Sequence, residues 1–429
     1  MDKFKNLIIK NKTICFWLIL FILIVIGYFL HYKTVFYEHD VIINDVWWYF
    51  KYANDFYKNR LLPYQDFSME YPPLSLLNWL IPSLSGNYDN FCQLFLLQNI
   101  LLTIICLFIV YKLLGKFISN KLQCILTTIC SLGFIILFPI LLLRIDIFPT
   151  ILCLLSVYSF IKYIEIRNNI FSFLAWCFVC LGTLVKIYPI LLAITFFLFH
   201  LKYKDFKKLL LYFLVLGIIF LPSLVLIFLP TYNSSNFLAY HSERSVQVES
   251  LYGSILTFAS SISDFQTNIV FGHQSYEIED QYGRFFAQIS LSFTVIFIFI
   301  LIVYLIYKLL KINNKNKQIR LCIFGITMSI AIFIITNKVF SLQYIIWILP
   351  FFIILNGFLQ KKLLAYINLF IIIIIPLLAL LIYPIYFEEF LKGNVIIRFL
   401  SLGKNILLIL ETVLLFVCIN KISKKHHKI

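Results

Sequence analysis

A polar segment at residues 32–90 carries the carboxylates best placed to do chemistry in this chain. It holds seven of the 20 acidic residues beside four basic ones. The seven are Glu38, Asp40, Asp45, Asp55, Asp66, Glu70 and Asp89. Asp45 is the strongest candidate, because it precedes Trp47 and Trp48 at the start of a predicted interfacial helix. A carboxylate at an apolar boundary can have its environment tuned to take a proton from a hydroxyl. An acid favoured by the helix dipole near a helix N-terminus is the alternative interpretation.

Glu70 and Tyr71 lie in the sequence MEYPP of the same segment. Their side chains could bind the hydroxyls of a sugar or of an acceptor. A turn at Tyr-Pro-Pro with a solvated glutamate is the alternative.

Basic residues elsewhere could bind a phosphate, and the two arginines at Arg144 and Arg244 suit it best. A guanidinium group offers a phosphate two parallel hydrogen bonds, whereas a lysine offers a point charge. The candidates are Arg144, Lys186, Arg244, Arg284 and Lys338. Arg144 stands two residues before Asp146, so a local ion pair at a short turn is the alternative role for both.

Lys186 lies in LVKIYP, between two apolar runs at 171–185 and 187–200 that are each too short to cross a bilayer. A helix rises about 1.5 Å per residue, and the hydrocarbon core is about 30 Å thick. The two runs should therefore meet in a protein-lined or water-filled cavity, and a charge partway into the membrane is usually functional. A lysine that extends to the membrane surface from a tilted hairpin is the alternative.

The sequence HSERSVQVES brings His241, Arg244 and Glu249 within about two helical turns. This spacing predicts a helix that lines a cavity, and a solvated amphipathic helix explains it equally well. Gln343 follows Lys338 near a helix hairpin, where packing is a simpler role than ligand contact.

No metal site is expected, because the histidines lack partners at ligand spacing. No cofactor is expected either, and no glycine-rich phosphate loop is present.

Composition predicts a polytopic membrane protein with an all-α fold. Of the 429 residues, 62% are hydrophobic and only 13% are charged, and apolar runs of about 20 residues predict membrane-spanning helices. About twelve crossings are expected in a single domain over residues 1–429. The predicted spans are 13–31, 91–112, 121–143, 147–164, 171–185, 187–200, 209–230, 286–309, 320–337, 342–359, 362–385 and 399–420.

Charge placement predicts the orientation. The segments on the side of the N-terminus hold 24 of the 36 Lys and Arg residues, which makes that side cytoplasmic. The basic tail at 421–429 lies there too. The long segments 32–90 and 231–285 are then outside, and the net charge of +16 reflects topology and anionic lipid rather than nucleic-acid binding.

Periodicity predicts helices lying along the membrane interface in the first outer segment. Apolar residues recur at helical spacing from Val41 to Tyr57, and the helix should end near Asn59, because a residue before proline, here Leu62, avoids the helical region. A second interfacial helix should begin after Tyr71-Pro72-Pro73.

The segment NDVWWYF, followed by YANDFYKNRLLPYQDFSMEYPPL, resembles the first outer loop of the GT-C membrane glycosyltransferases. It is most similar to family 87, the polyprenol-phosphate-mannose-dependent mannosyltransferases. The later segments RIDIFPTILCLLSVYSF, GTLVKIYPILL, HSERSVQVESLYGSIL and NKVFSLQYIIWILPF resemble that family in the same order. One departure is Leu342, where the family pattern has a proline.

The resemblance implies a GT-C-like bundle with a lipid-facing active site on the outer leaflet. It implies a polyprenyl-phosphate sugar as donor, a lipid or glycan hydroxyl as acceptor, and Asp45 as the catalytic base. A transporter or lipid flippase is the main alternative, since it would also have about twelve spans and buried charges. Such proteins usually show inverted repeats, whereas the two long outer segments of this chain do not repeat each other.

Overall fold

The computed structural model describes residues 14–30, 40–228, 243–359 and 361–424, and these are mostly helical. The first part of the chain forms helices α1 (Ile14–Leu30), α2 (Asp40–Ala53), α3 (Leu76–Ser83), α4 (Tyr88–Leu114), α5 (Asn120–Ile136), α6 (Phe138–Leu141), α7 (Ile147–Ile166), α8 (Asn169–Val185), α9 (Leu191–Tyr203), α10 (Phe206–Ile219) and α11 (Leu221–Phe228). The second part forms α12 (Leu251–Ile262), α13 (Gln281–Lys311), α14 (Lys315–Thr336), α15 (Tyr344–Asn356), α16 (Lys362–Leu380), α17 (Phe387–Leu391) and α18 (Val395–Lys424).

Six of these helices are long and apolar enough to cross a membrane, namely α4, α7, α13, α14, α16 together with its π-helical extension to Ile385, and α18 up to Cys418. Six further apolar helices are shorter, so the lengths alone do not support about twelve crossings. Helix breaks explain part of the difference. The predicted span 121–143 is divided at Leu137, and the short helix α6 that follows has Pro139 in its first turn. The span 209–230 is divided at Phe220, two residues before Pro222.

The central helices are buried on all sides. In α7 and in α14, 78% of the apolar 18-residue stretch that could cross a membrane is buried inside the protein. In α13 the buried share is 17%. A helix that is apolar all round and largely exposed, such as α13, matches a hydrocarbon environment. The buried helices α7, α14 and α15 therefore form the centre of the bundle, and α13 lies at its edge.

The expected helices of the first polar segment are present. Helix α2 continues as a π-helical turn at Asn54–Lys58 and is capped by Asn59, which is the predicted end. Pro73–Ser75 then form a 3-10 turn that leads into α3. The prediction that Asp45 opens its helix is wrong by about one turn, because α2 already begins at Asp40.

The helix predicted over HSERSVQVES is not formed from Arg244 onward. Residues Val246–Gln247 are instead strand β1 of a three-stranded antiparallel sheet, with β2 at Ile269–Gly272 and β3 at Ser275–Ile278. The strand order is β1-β3-β2, and Val246 pairs with Ile278. His241 lies outside the described residues.

The break between α8 and α9 is as predicted. Helix α8 ends at Val185, Lys186 is fully extended (φ −156°, ψ 136°), and a 3-10 turn at Tyr188–Ile190 leads into α9. Pro189 in that turn contributes to the break, because a proline cannot continue the hydrogen bonding of a preceding helix. Lys186 is thereby placed at a joint between two helices.

Candidate functional site

One cavity of about 590 Å³ gathers most of the predicted site residues. The connections between helices build its walls: α2 and the loop before α3, the turn between α6 and α7, the joint at Lys186, the β-sheet, and the loop between α14 and α15. The predicted residues that line it are Asp45, Glu70, Tyr71, Arg144, Lys186, Arg244, Glu249, Lys338 and Gln343. Residues far apart in the chain therefore share a single concave site.

Asp45 and Arg144 form an ion pair inside the cavity. The Nη1 of Arg144 contacts the Oδ2 of Asp45, and the two side chains keep 17% and 14% of their surface exposed. The alternative of a local pair between Arg144 and Asp146 is wrong, because each of these residues pairs with a distant partner. Asn99 of α4 holds the turn between α6 and α7 in place. Its side-chain amide donates to the carbonyl oxygens of Leu142 (2.8 Å) and Arg144 (3.1 Å).

Asp146 lies behind the cavity wall and is 1% exposed. Its Oδ1 accepts a hydrogen bond from the Nζ of Lys186 at 2.6 Å and one from the indole Nε1 of Trp347 at 2.5 Å. Asp146 is not among the residues that line the cavity, so its prediction as a substrate contact is not supported. Its position is that of a residue that orients Lys186.

Lys186 points inward, and the alternative of a lysine reaching the membrane surface is wrong. Its Nζ lies 5.2 Å from the ring centroid of Trp347, 5.7 Å from Tyr344 and 5.9 Å from Tyr71. Such contacts favour a cation, because the faces of aromatic rings are electron-rich. The lysine is thus held between a buried carboxylate and an aromatic wall.

That aromatic wall is a stack of three rings. Trp347 lies parallel to Tyr188 with centroids 4.0 Å apart, and it stacks on Tyr344 at 3.8 Å. Tyr71 of the first segment extends the wall, and its hydroxyl hydrogen-bonds to that of Tyr49 at 3.1 Å. The parallel arrangement at these distances is a favourable geometry for aromatic pairs, so the three rings form one continuous stack beside the cavity.

The β-sheet forms a second charged wall. The Nε of Arg244 donates to Glu277 at 2.9 Å, and its Nη2 donates to the hydroxyl of Ser275 at 2.5 Å. Glu277 is 1% exposed and also contacts His273 at 3.3 Å. The Nζ of Lys338 donates to the carbonyl oxygen of Arg244 at 2.5 Å. Burial lowers the pKa of Lys338, and the nearby Arg244 charge adds to that shift.

Glu249 lies where the sheet meets the helices. Its Oε2 accepts from Gln247 at 3.1 Å, while its Oε1 is buried with no hydrogen-bond partner among the described residues. Lys404 and Asn405 of α18 donate to its backbone carbonyl at 3.3 and 3.1 Å. Burial raises the pKa of Glu249 to about 7, although the charges of Lys404 and Arg144 oppose this.

Three residues in or behind the cavity walls escaped the sequence analysis. Lys404 is fully buried within an apolar helix, and the argument that selected Lys186 would have selected it as well. Glu277 belongs to the hairpin of β2 and β3. The sequence pattern that could have predicted this hairpin is two short runs with apolar residues on either side of His273-Gln274. No sequence feature marked Trp347 as a site residue, since a tryptophan in an apolar helix is ordinarily a core residue.

Within the described residues, no group of three or more His, Cys, Asp or Glu side chains is arranged to hold a metal ion. The cavity instead combines cations, carboxylates and aromatic rings. No protein-family model matches this chain, and a search of curated proteins gave no match either.

Proposed function

We propose that this chain is an integral membrane glycosyltransferase of the GT-C type, with about twelve crossings and with α2 and α3 lying along the membrane interface. It moves a hexose, with mannose as the expected sugar, from a polyprenyl-phosphate donor to a hydroxyl of a lipid or glycan acceptor. The cavity opens on the outer face of the cell membrane, and both termini are cytoplasmic. The family 87 resemblance supplies the reaction class.

The observation that supports this proposal most is the composition of this cavity. It offers carboxylates at Asp45 and Glu70 and cations at Arg144, Lys186, Arg244 and Lys338 around one space. In glycosyl transfer from a lipid phosphate, a base removes the proton of the attacking hydroxyl while a phosphate leaves with the electron pair of the broken bond. This chemistry needs a carboxylate near the acceptor hydroxyl and cations near the leaving phosphate.

Asp45 is the proposed base. Its Oδ2 is buried against Arg144, so the 14% of its side chain that stays exposed lies on its other atoms. A proton acceptor must be within hydrogen-bond reach of the hydroxyl it activates, and Asp45 borders the space in which that hydroxyl would lie. Glu70 and Tyr71 line the same cavity and are suited to binding sugar or acceptor hydroxyls.

The proposal is tested by transfer assays in membranes with radiolabelled polyprenyl-phosphate mannose. Asp45→Asn and Asp45→Ala should lower the rate by a factor on the order of 10²–10⁴, as expected for loss of a general base. Asp66→Asn is the matched control. Asp66 belongs to the same segment, but it is exposed and accepts a backbone hydrogen bond from Leu62 at 2.7 Å.

Full transfer by both Asp45 variants would show that the base is assigned wrongly. Failure of every lipid-phosphate donor with the wild type, together with substrate-dependent uptake into vesicles, would favour a transporter or flippase instead.

A further inference from the structure

Three cations of the cavity are held by carboxylates, and the three carboxylates differ in their exposure. Lys186 is held by Asp146 and Arg244 by Glu277, and both of these acids are 1% exposed. Arg144 is held by Asp45, whose side chain keeps 14% of its surface exposed and which itself lines the cavity. The three pairs therefore differ in what happens when the cation moves away.

A buried carboxylate that loses its cation is left charged in a medium of low polarity, which is costly. Asp146 and Glu277 are buried in this way. Separating Lys186 from Asp146, or Arg244 from Glu277, would therefore be costly. Asp45 borders the cavity, where a hydroxyl or water can replace the lost hydrogen bonds. Among these three pairs, Asp45 with Arg144 is the one that a ligand can separate at low cost.

The backbone at Arg144 is fixed, and its partly exposed side chain lines the cavity. The buried Asn99 holds the carbonyl oxygens on both sides of Leu143, and helix α2 holds the backbone of Asp45. A change of partner therefore requires movement of the Arg144 side chain rather than of the backbone. A phosphate is the ligand that can compete, because it accepts two parallel hydrogen bonds from a guanidinium.

We propose that a phosphate group entering the cavity takes Arg144 from Asp45 and thereby frees the carboxylate. In the proposed transfer reaction, on which this consequence rests, Asp45 becomes available to the acceptor hydroxyl only once the donor phosphate is bound. The hydroxyl proton then passes to Asp45, the hydroxyl oxygen bonds to the anomeric carbon, and the bond to phosphate breaks with its electron pair on the phosphate oxygen.

Binding to purified protein tests the exchange without any transfer. The probes are a sugar-free polyprenyl phosphate and inorganic phosphate, which separate recognition of the lipid-borne group from recognition of any phosphate. Asp45→Asn should bind the polyprenyl phosphate about tenfold more tightly than wild type, a difference of about 1.4 kcal/mol. Arg144→Gln should bind it more weakly. Tighter binding of both probes to Asp45→Asn would mean that the phosphate group alone drives the exchange.

Two controls separate exchange from simple repulsion between a carboxylate and a phosphate. Glu70→Gln removes another cavity carboxylate, and exchange predicts that it tightens binding less than Asp45→Asn does. In the Arg144→Gln background, Asp45→Asn should have little further effect, because the cation for which the two anions compete is gone. Asp45→Ser gives the same comparison if the asparagine variant does not fold.

Unchanged or weaker binding by both Asp45 variants, or equal tightening by Glu70→Gln, would overturn the exchange. So would an Asp45 effect that persists fully without Arg144. A transfer assay on the same proteins keeps the two proposals apart. A wild type that transfers but shows no coupling between Asp45 and Arg144 contradicts the exchange alone, and coupling without any transfer contradicts the glycosyltransferase alone.

Discussion

The two charged walls of the cavity are built differently. On the helical wall, each ion pair joins two different helical elements or the turns beside them, since Asp45 meets Arg144 and Asp146 meets Lys186. On the sheet wall, the pairs lie within one small sheet, since Arg244, His273 and Glu277 all belong to its strands or the loops beside them. One wall is held by contacts between helices, and the other by contacts within one small sheet.

This difference predicts how far the structural effect of losing one ion pair extends. Loss of a pair between helices should loosen the bundle and the cavity together, whereas loss of a pair within the sheet should stay local. The two carboxylates of the helical wall also differ from each other. Asp146 is 1% exposed and has a structural role, whereas Asp45 is 14% exposed and can respond to a ligand.

The largest effect is expected on the helical wall. Asp146→Asn or Lys186→Met should each lower the free energy of unfolding by about 3–5 kcal/mol, because the partner is left charged and buried. The double variant should lose less than the sum of the two. Denaturant unfolding in detergent measures this.

Lys392→Gln is the control for that comparison, since its pair with Glu388 is exposed and should contribute little. Additive losses in the double variant would mean that Asp146 and Lys186 do not act as a pair.

A smaller effect is expected on the sheet wall. Glu277→Gln weakens contacts with Arg244, His273 and the backbone N–H of Ser245, and it should cost about 1.5–3 kcal/mol. Hydrogen exchange should increase in the strands and stay unchanged in α7 and α14.

Glu279→Gln is the matched control, because Glu279 also contacts an arginine, Arg284, but that arginine is 71% exposed. Faster exchange spread through the buried helices after Glu277→Gln would contradict the distinction between the two walls.

The smallest effect, counted per pH unit, concerns Glu249, where the walls meet. Burial raises the pKa of its carboxyl from 4.5 to about 7, so the stability contributed by the neutral acid is present below pH 4.5 and is lost as the pH rises to about 7. The resulting slope is at most about 1.4 kcal/mol per pH unit.

Thermal unfolding of the wild type and of Glu249→Gln across this range measures the slope, which the variant should lack. Glu243, three residues before the β1 strand and exposed, offers the control Glu243→Gln. Identical pH dependence in wild type and Glu249→Gln would show that Glu249 is not the titrating group.

Helical features were predictable from the sequence where local signals determine them. The ends of α2, the start of α3 and the break at Lys186 all follow from periodicity and proline positions. Asp45, Arg144 and Lys186 could be selected as unusual charges, but their partners could not, because pairing depends on how the helices pack.

The sheet could not be predicted in the same way. Strand β1 has only two residues, and its conformation depends on pairing with Glu277 and Ile278 about 30 residues later. A pattern of polar residues in HSERSVQVES fits a helix equally well. Tertiary pairing therefore decided between two local structures of similar propensity.

Trp347 stands 201 residues after Asp146, the carboxylate to which its indole donates. At a synthesis rate of about 5–20 residues per second, Asp146 waits roughly 10–40 s before this partner exists. Lys186, only 40 residues away, is made much sooner and can neutralise the acid during that interval. The order of these residues along the chain thus gives the nascent protein a temporary partner for a charge that the completed bundle buries.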